Sequence, residues 1–281
     1  MKLKPRYDGS PIISIAGRPD DQLVPVTRQR KRMESMLGDL DDADWKAPSR
    51  CDGWTVQDVV AHLVGVNAFW RSSVKAGLGG TPTRILAGFD PAATPPLMVE
   101  PMRALTPAEV LEQFVSSNTA FLATIAALDE TEWSKFAETP AGHVSIRLLA
   151  QHALWDAWIH ERDIALPLGR TATVEPDEVR SCLGYAAALS PAFAISFGNA
   201  PVGVFAVDSS DPELRLVLEV GEAVAVHEGP APIDAPCLRG DTVELIEALS
   251  LRTPTSVSAP IEWRQLLEGL AMAFDGKLEL A

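Results

Sequence analysis

From about residue 26 to residue 197 apolar side chains recur at three- and four-residue spacing, the period of helices buried along one side. Residues 26–40, VTRQRKRMESMLGDL, give a first helix. Residues 41–53 are a turn-rich link in which Trp45, with Trp54 just beyond it, reads as a packing anchor. Thr55 followed three residues later by Asp58 has the form of a capping box and opens a second helix, TVQDVVAHLVGVNAFWRSSVKAGL. Residues 77–107 are dense in proline and read as a loop, of a length that marks either disorder or a lid. Residues 107–128 carry Val110, Leu111, Phe114, Val115, Phe121, Leu122 and Ile125 at helical spacing, a third helix. Residues 145–166 form a fourth, and residues 177–197 a fifth, kinked or ended near Pro191. Between residues 198 and 203 the period changes. PVGVFAVDSS and LRLVLEVGEAVAVHEG alternate as strands do, and TVELIEALSLR and EWRQLLEGLAMAF then return to helix. The expected architecture is α plus α+β: an N-terminal extension (residues 1–22), an antiparallel four-helix bundle with its following helix (23–199), and a small α+β domain (200–281).

The fourth helix, SIRLLAQHALWDAWIHERDIAL, has two polar stripes instead of one. Arg147, Gln151, Glu161 and Arg162 share a side and mark an expected solvent face. On the opposite side stand His152, Asp156, His160 and Asp163, flanked by Ile146, Leu148, Leu149, Ala153, Ala157, Ile159 and Ile164. Burying those groups without partners is costly, so something must satisfy them. On the second helix His62 lines up with Val59, Val66 and Phe69 and so projects from the buried face, with Asp58 one turn earlier as a group able to orient its ring. Facing helices of a bundle are where metal sites are built. His62 with Asp156 and His160, which are one turn apart, would make a two-histidine, one-carboxylate set with open positions. The competing readings are a core histidine bonded to a backbone carbonyl and a buried salt network drawing on Arg84, Arg103 or Arg180.

Composition narrows the function classes. The 281 residues carry a net charge of -14, which excludes nucleic acid and anionic membranes as expected partners. Three separated cysteines, Cys51, Cys182 and Cys237, form no disulfide framework. With no signal-like or membrane-length apolar run, the expectation is a soluble cytoplasmic protein, monomer or homodimer. Cys51 reads as a small buried apolar residue, and His143 and His227 as surface or loop residues.

The segment CDGWTVQDVVAHLVG resembles the C-x-GWTVxDVxAHL element of the DinB-like, mycothiol-dependent maleylpyruvate isomerase superfamily. DAWIHERDIA resembles that family's second element, an acidic residue, three residues, then the histidine of WVHGxDI. The likeness covers about residues 24–170, with both elements in order. PCLRGDTVELIEALSLR resembles the sterol-carrier-like domain that accompanies this bundle. The resemblance implies a divalent metal, most often zinc, on His62, Asp156 and His160, and a low-molecular-weight thiol, mycothiol, as co-substrate held as thiolate. It also implies a C-terminal arginine in the site, Arg252 before Arg239, to pair with a substrate carboxylate. One departure is Asp156, where the family usually has glutamate; the shorter carboxylate leaves room for water or for His152 as a further ligand. His152 otherwise reads as a pocket-lining residue or general base, and Asp163 as support for the ligands. Three functions follow as expectations: a metal-dependent mycothiol S-transferase acting on a small electrophilic metabolite, a thiol-dependent cis–trans isomerase of maleylpyruvate type, and a non-catalytic binding protein of the same fold.

Overall fold

The computed structural model describes residues 1–18, 20–198, 201–253 and 260–274. The expected boundary at 199–200 lies outside them. The N-terminal segment supplies a short strand, β1 (Ile13–Ile15). Helix α1 (Leu23–Gly38) follows, and then α2 (Asp42–Lys46), a single turn in the link whose Asp41 cap accepts from the Ala43 and Asp44 amides. Helix α3 (Val56–Leu78) starts where the capping box is expected: Thr55 Oγ1 accepts from the Asp58 amide, and the Asp58 carboxylate accepts from the Thr55 amide.

The proline-dense segment is not the structureless loop that was expected. It holds α4 (Thr94–Val99) and a 3-10 turn, Glu100–Ala104. The segment is tied to α3 by Gln57 Nε2, which donates to the Met102 and Leu105 carbonyls, and by the Arg103–Asp58 ion pair. Helix α5 (Pro107–Ala126) and a hairpin, β2 (Phe136–Thr139) with β3 (Gly142–Ser145), lead into α6 (Ile146–Ala165). Helix α7 (Pro176–Ser196) runs on through Pro191.

Helices α3, α5, α1 and α6 pack in a closed ring, each touching the next, with α6 against both α1 and α3. Beyond them come β4 (Gly203–Ser210), β5 (Leu214–Val220), β6 (Val224–Glu228), β7 (Cys237–Asp241), α8 (Thr242–Leu249) and α9 (Ile261–Ala273). The sheet order is β1-β6-β5-β4-β7: β1 lies parallel to β6 and β7 parallel to β4, while β4, β5 and β6 form an antiparallel meander. The N-terminal extension, which had no expected role, is thus an edge strand of the C-terminal sheet. Helix α7 joins the two parts, packing on α6 and also on α8 and α9. At Gly269 α9 comes so close to α7 that an added Cβ would sit 2.1 Å from the Ser190 carbonyl oxygen. One apolar cluster accordingly runs from Trp70 and Phe121 in the helical part through α7 to Leu218 and Trp263 in the sheet part. No described helix is long and apolar enough to cross a membrane.

Helix α6 is buried on nearly every side, which corrects the expected solvent face. Arg147 donates to the Ile15 carbonyl, Gln151 to the Ser181 carbonyl of α7, and Glu161 accepts from Gln29 and Arg32 of α1. The outer polar stripe is a set of buried links to neighbouring elements, so its polarity reports partners and not water.

Candidate metal centre

The inner stripe of α6 converges with α3 as expected. His62, Asp156 and His160 each offer a ligand atom, and these atoms all lie within 4.8 Å of one another. Nε2 of His160 is 3.7 Å from Asp156 Oδ1, and the His62 and His160 rings stand edge to face at 5.1 Å. Donors on one tetrahedral zinc ion are about 3.4 Å apart, so a small contraction would seat an ion here. Asp156 Oδ2 is buried with no hydrogen-bond partner. A buried carboxylate oxygen without a partner costs free energy, and a divalent cation is a group that would satisfy it. Nitrogen and carboxylate donors suit zinc and its neighbours in the first transition row. The residues therefore fit the ion that the sequence implies. His152 does not join them as a ligand: its ring is turned to Tyr185 and boxed by Trp70 and Trp155.

A second group, Cys51, His160 and Asp163, is equally compact. Here Asp163 is already engaged. Its fully buried carboxylate accepts from His160 Nδ1 at 3.0 Å, Arg50 Nε at 3.1 Å, Arg252 Nε at 3.0 Å and the Cys51 thiol at 3.2 Å. His160 thus presents Nδ1 to a carboxylate and Nε2 toward Asp156 and His62, the arrangement that fixes a ligating tautomer. Cys51 is half-buried and bonded into this cluster, not the apolar filler expected.

Two elements outside the helical ring brace this cluster. Arg50, in the link before α3, also donates to Glu247 of α8 at 3.0 Å, and Glu247 accepts from Arg162 of α6 at 2.6 Å. Trp155 Nε1 donates to Ser250 Oγ at 2.9 Å. Arg252 therefore does reach the site from the C-terminal part. Arg239 does not: it lies on β7, 69% exposed, and faces Asp208 at 3.8 Å. LRGD follows the strand out to the sheet's edge, whereas the arginine after α8 is carried back to α6.

Burial and charge act in opposite ways along the stripe. Burial pushes the His62 and His152 imidazoles down to about 4, with the His160 charge adding to the effect at His62. Burial acts the same way on His160, but the Cys51 sulfur and the Asp163 carboxylate outweigh it and push that ring up to about 10. Burial raises the Asp156 carboxyl, and the three histidines with Arg30 overcome it and hold it below the usual carboxylate range. Arg30 is wholly buried in α1, with Nη2 on the Ala153 carbonyl.

Other expectations are corrected here. Asp58 does not orient His62; its oxygens serve the α3 cap and Arg103. Arg84, Arg103 and Arg180 pair with Asp8, Asp58 and Glu228 and supply no salt network to the stripe. His143 is a structural clip, with Nδ1 3.0 Å from the Tyr7 carbonyl and Nε2 2.8 Å from the Thr83 carbonyl. His227 is exposed, as expected. Sequence reasoning missed Arg50, Arg30 and Tyr185. Arg50 stands directly before the motif cysteine, and Tyr185 is a polar aromatic residue inside an otherwise apolar run, so both left a trace.

The site is thus a partly buried cluster of two histidines and one carboxylate in the helical part, able to hold a metal ion and braced by an arginine from the attached α+β part. Residues 26–165 match the family described as the mycothiol maleylpyruvate isomerase N-terminal domain, and this part of the chain belongs to that family. Two solved structures of the mycothiol-dependent maleylpyruvate isomerase share the fold. One, a histidine-to-alanine mutant, is 16% identical with a TM-score of 0.61. The other is 15% identical with a TM-score of 0.62, and in each case the match covers 86% of this chain and 93% of the other. No curated protein sequence matches the chain.

Proposed function

We propose that the protein is a metal-dependent, mycothiol-using S-transferase acting on a small electrophilic metabolite in the cytoplasm. The observation that carries the metal is the unpartnered, buried Asp156 Oδ2 between two histidines. A divalent ion, zinc by its donor set, would be held by His62, Asp156 and His160 and would keep a bound thiol ionised at neutral pH. Within the chain, Asp163 holds His160 by Nδ1, and Arg252 and Arg50 hold Asp163. Aromatic walls from Trp54, Trp70 and Trp155 surround the histidines and keep the interior poor in water. In this reading residues 23–199 form a DinB-like antiparallel four-helix bundle and residues 200–281 a sterol-carrier-like domain.

Transfer is favoured over isomerisation of a diacid by the cations at hand. A dicarboxylate calls for two free cations, yet Arg239 faces Asp208, Arg252 spends its Nε on Asp163, and Arg50 is held between Asp163 and Glu247. The second reading, a mycothiol-dependent cis–trans isomerase, is favoured by the family match. Incubating the metal-loaded protein with mycothiol and electrophiles, maleylpyruvate among them, and reading products by mass spectrometry separates the two. A stable thioether marks transfer, an unmodified isomer marks isomerisation, and neither product with any electrophile sinks the catalytic reading in favour of a binding protein.

A further inference from the structure

His152 and Tyr185 make a buried pair whose chemistry can be worked out from the partners each lacks. Tyr185, on α7, is 1% exposed, and its hydroxyl lies 2.5 Å from His152 Nδ1. Among the described residues that is the hydroxyl's hydrogen-bond partner. A buried tyrosine hydroxyl needs an acceptor for its proton. Nδ1 supplies one only when it carries no hydrogen. A neutral imidazole has one N–H, so the hydrogen must then sit on Nε2. Burial supports the neutral pair, since it pushes the Tyr185 hydroxyl well above its ordinary value and the His152 ring down.

His152 Nε2 makes no hydrogen bond among the described residues and, unlike Asp156 Oδ2, is not a fully buried atom, although the ring is only 5% exposed and is crowded by Trp70 at 4.7 Å, Tyr185 at 5.0 Å and Trp155 at 5.5 Å. His152 is one turn before Asp156 on the same face of α6, and the two groups feel each other electrostatically. A neutral N–H donor therefore stands unspent one turn from the candidate metal ligands.

We infer that His152 is a catalytic hydrogen-bond donor to the carbonyl oxygen of the electrophile, with Tyr185 as the positioning residue that fixes its Nε2–H form. This rests on the thiol-dependent reading above, taken with an electrophile whose carbonyl is conjugated to a double bond. When a thiolate sulfur bonds to the β-carbon, the alkene electron pair shifts and the carbonyl oxygen becomes an enolate oxyanion. Nε2–H donates to that oxygen and keeps its proton. If the electron pair returns after rotation about the former double bond, the thiolate leaves and an isomer results. If the α-carbon instead takes up a proton, equivalent to the one the thiol lost, a thioether results. A neutral imidazole suits this work because its donor strength does not depend on taking a proton from solvent, the pattern of a neutral histidine that polarises a carbonyl. The general-base role considered from sequence would need the opposite tautomer.

The test is nitrogen NMR of the protein labelled with 15N-histidine, with His152 assigned by a His152→Gln variant. The inference expects the neutral Nε2–H pattern for His152 in the wild type and a mixture of tautomers in Tyr185→Phe. An Nδ1–H or doubly protonated ring in the wild type would overturn it. With mycothiol and maleylpyruvate as the probe pair, His152→Phe should lose about 10²- to 10³-fold in kcat, as for removal of one oxyanion donor. His152→Gln, which keeps an N–H near the same place, should recover part of that loss, with KM and bound metal unchanged in both. A His152→Phe protein that turns over like the wild type sinks the inference. If the wild type is silent on this pair, the functional reading fails separately, and the nitrogen spectrum alone then upholds or overturns the His152–Tyr185 assignment.

Discussion

The two ends of the inner stripe on α6 lie two helical turns apart and are built on opposite principles. At the C-terminal end, His160 sits in a knot of charge: Asp163, Arg50 and Arg252 around it, with Glu247 and Arg162 one step out. At the N-terminal end His152 is enclosed by Trp70, Trp155 and Tyr185, with Asp156 as the charged group acting on it. On the same element one ring is pushed up to about 10 by the Cys51 sulfur and the Asp163 carboxylate against burial, and the other down to about 4 by burial. The difference comes from which elements dock alongside. The C-terminal end meets the link before α3 and the segment after α8, both bearing arginine, while the N-terminal end meets α7, which is apolar around Tyr185. One helix thus carries two differently tuned histidines because its neighbours differ, with Asp156 between them acting on both.

The sharpest way to break this contrast is to neutralise the charged end. Asp163→Asn would leave Arg252 without its buried counter-charge and Arg50 with Glu247 alone, and should cost about 3–5 kcal/mol in urea unfolding. It should also weaken metal binding by roughly 10- to 100-fold, because Nδ1 loses its carboxylate. Tyr185→Phe, at the neutral end, should cost only about 1 kcal/mol in the same experiment. Equal losses would mean that the two ends do not differ as described.

Acid sharpens the contrast next. In the folded chain His152 resists protonation down to about 4, whereas the unfolded ring takes a proton below 6.5. Its contribution to stability is therefore complete above pH 6.5 and is lost as pH falls toward 4, at most on the order of 3 kcal/mol. His160 behaves with the reverse sign: its folded value is raised, so its contribution is fully present below 6.5 and fades only as pH rises toward 10. Urea midpoints of metal-free protein between pH 7 and 4 should fall more steeply for the wild type than for His152→Phe, and parallel curves would refute the buried neutral ring. A smaller change is expected for Glu247→Gln, which loosens Arg50 and Arg162 but leaves Asp163 paired, at about 1–2 kcal/mol. Arg239→Ala, far from both ends, should alter stability by about 0.5 kcal/mol or less and leave metal content as it is.

Much of this was legible in sequence, for identifiable reasons. The long helices announced themselves through period and caps: α3 begins behind Thr55 and α6 behind Ser145, each with side-chain oxygens on its first amides. The convergence of His62, Asp156 and His160 was legible because polar residues on apolar helix faces must meet partners in the interior. What escaped depended on contacts far apart in sequence. β1 is three residues long and is a strand only because β6 lies beside it. Arg147, Gln151 and Glu161 look solvated in a helical wheel, and only the positions of α1, α7 and the N-terminal segment show that they are buried. Arg239 and Arg252 are alike by motif, and only the path of the chain after α8 tells them apart.

The central claim is that His62, Asp156 and His160 hold a divalent ion. Elemental analysis of protein purified without chelators, beside a His62→Ala/His160→Ala double variant, tests it most directly. The wild type should carry roughly one zinc-like ion per chain and the double variant almost none. Equal metal in the two, or near-zero metal in both, would contradict the account.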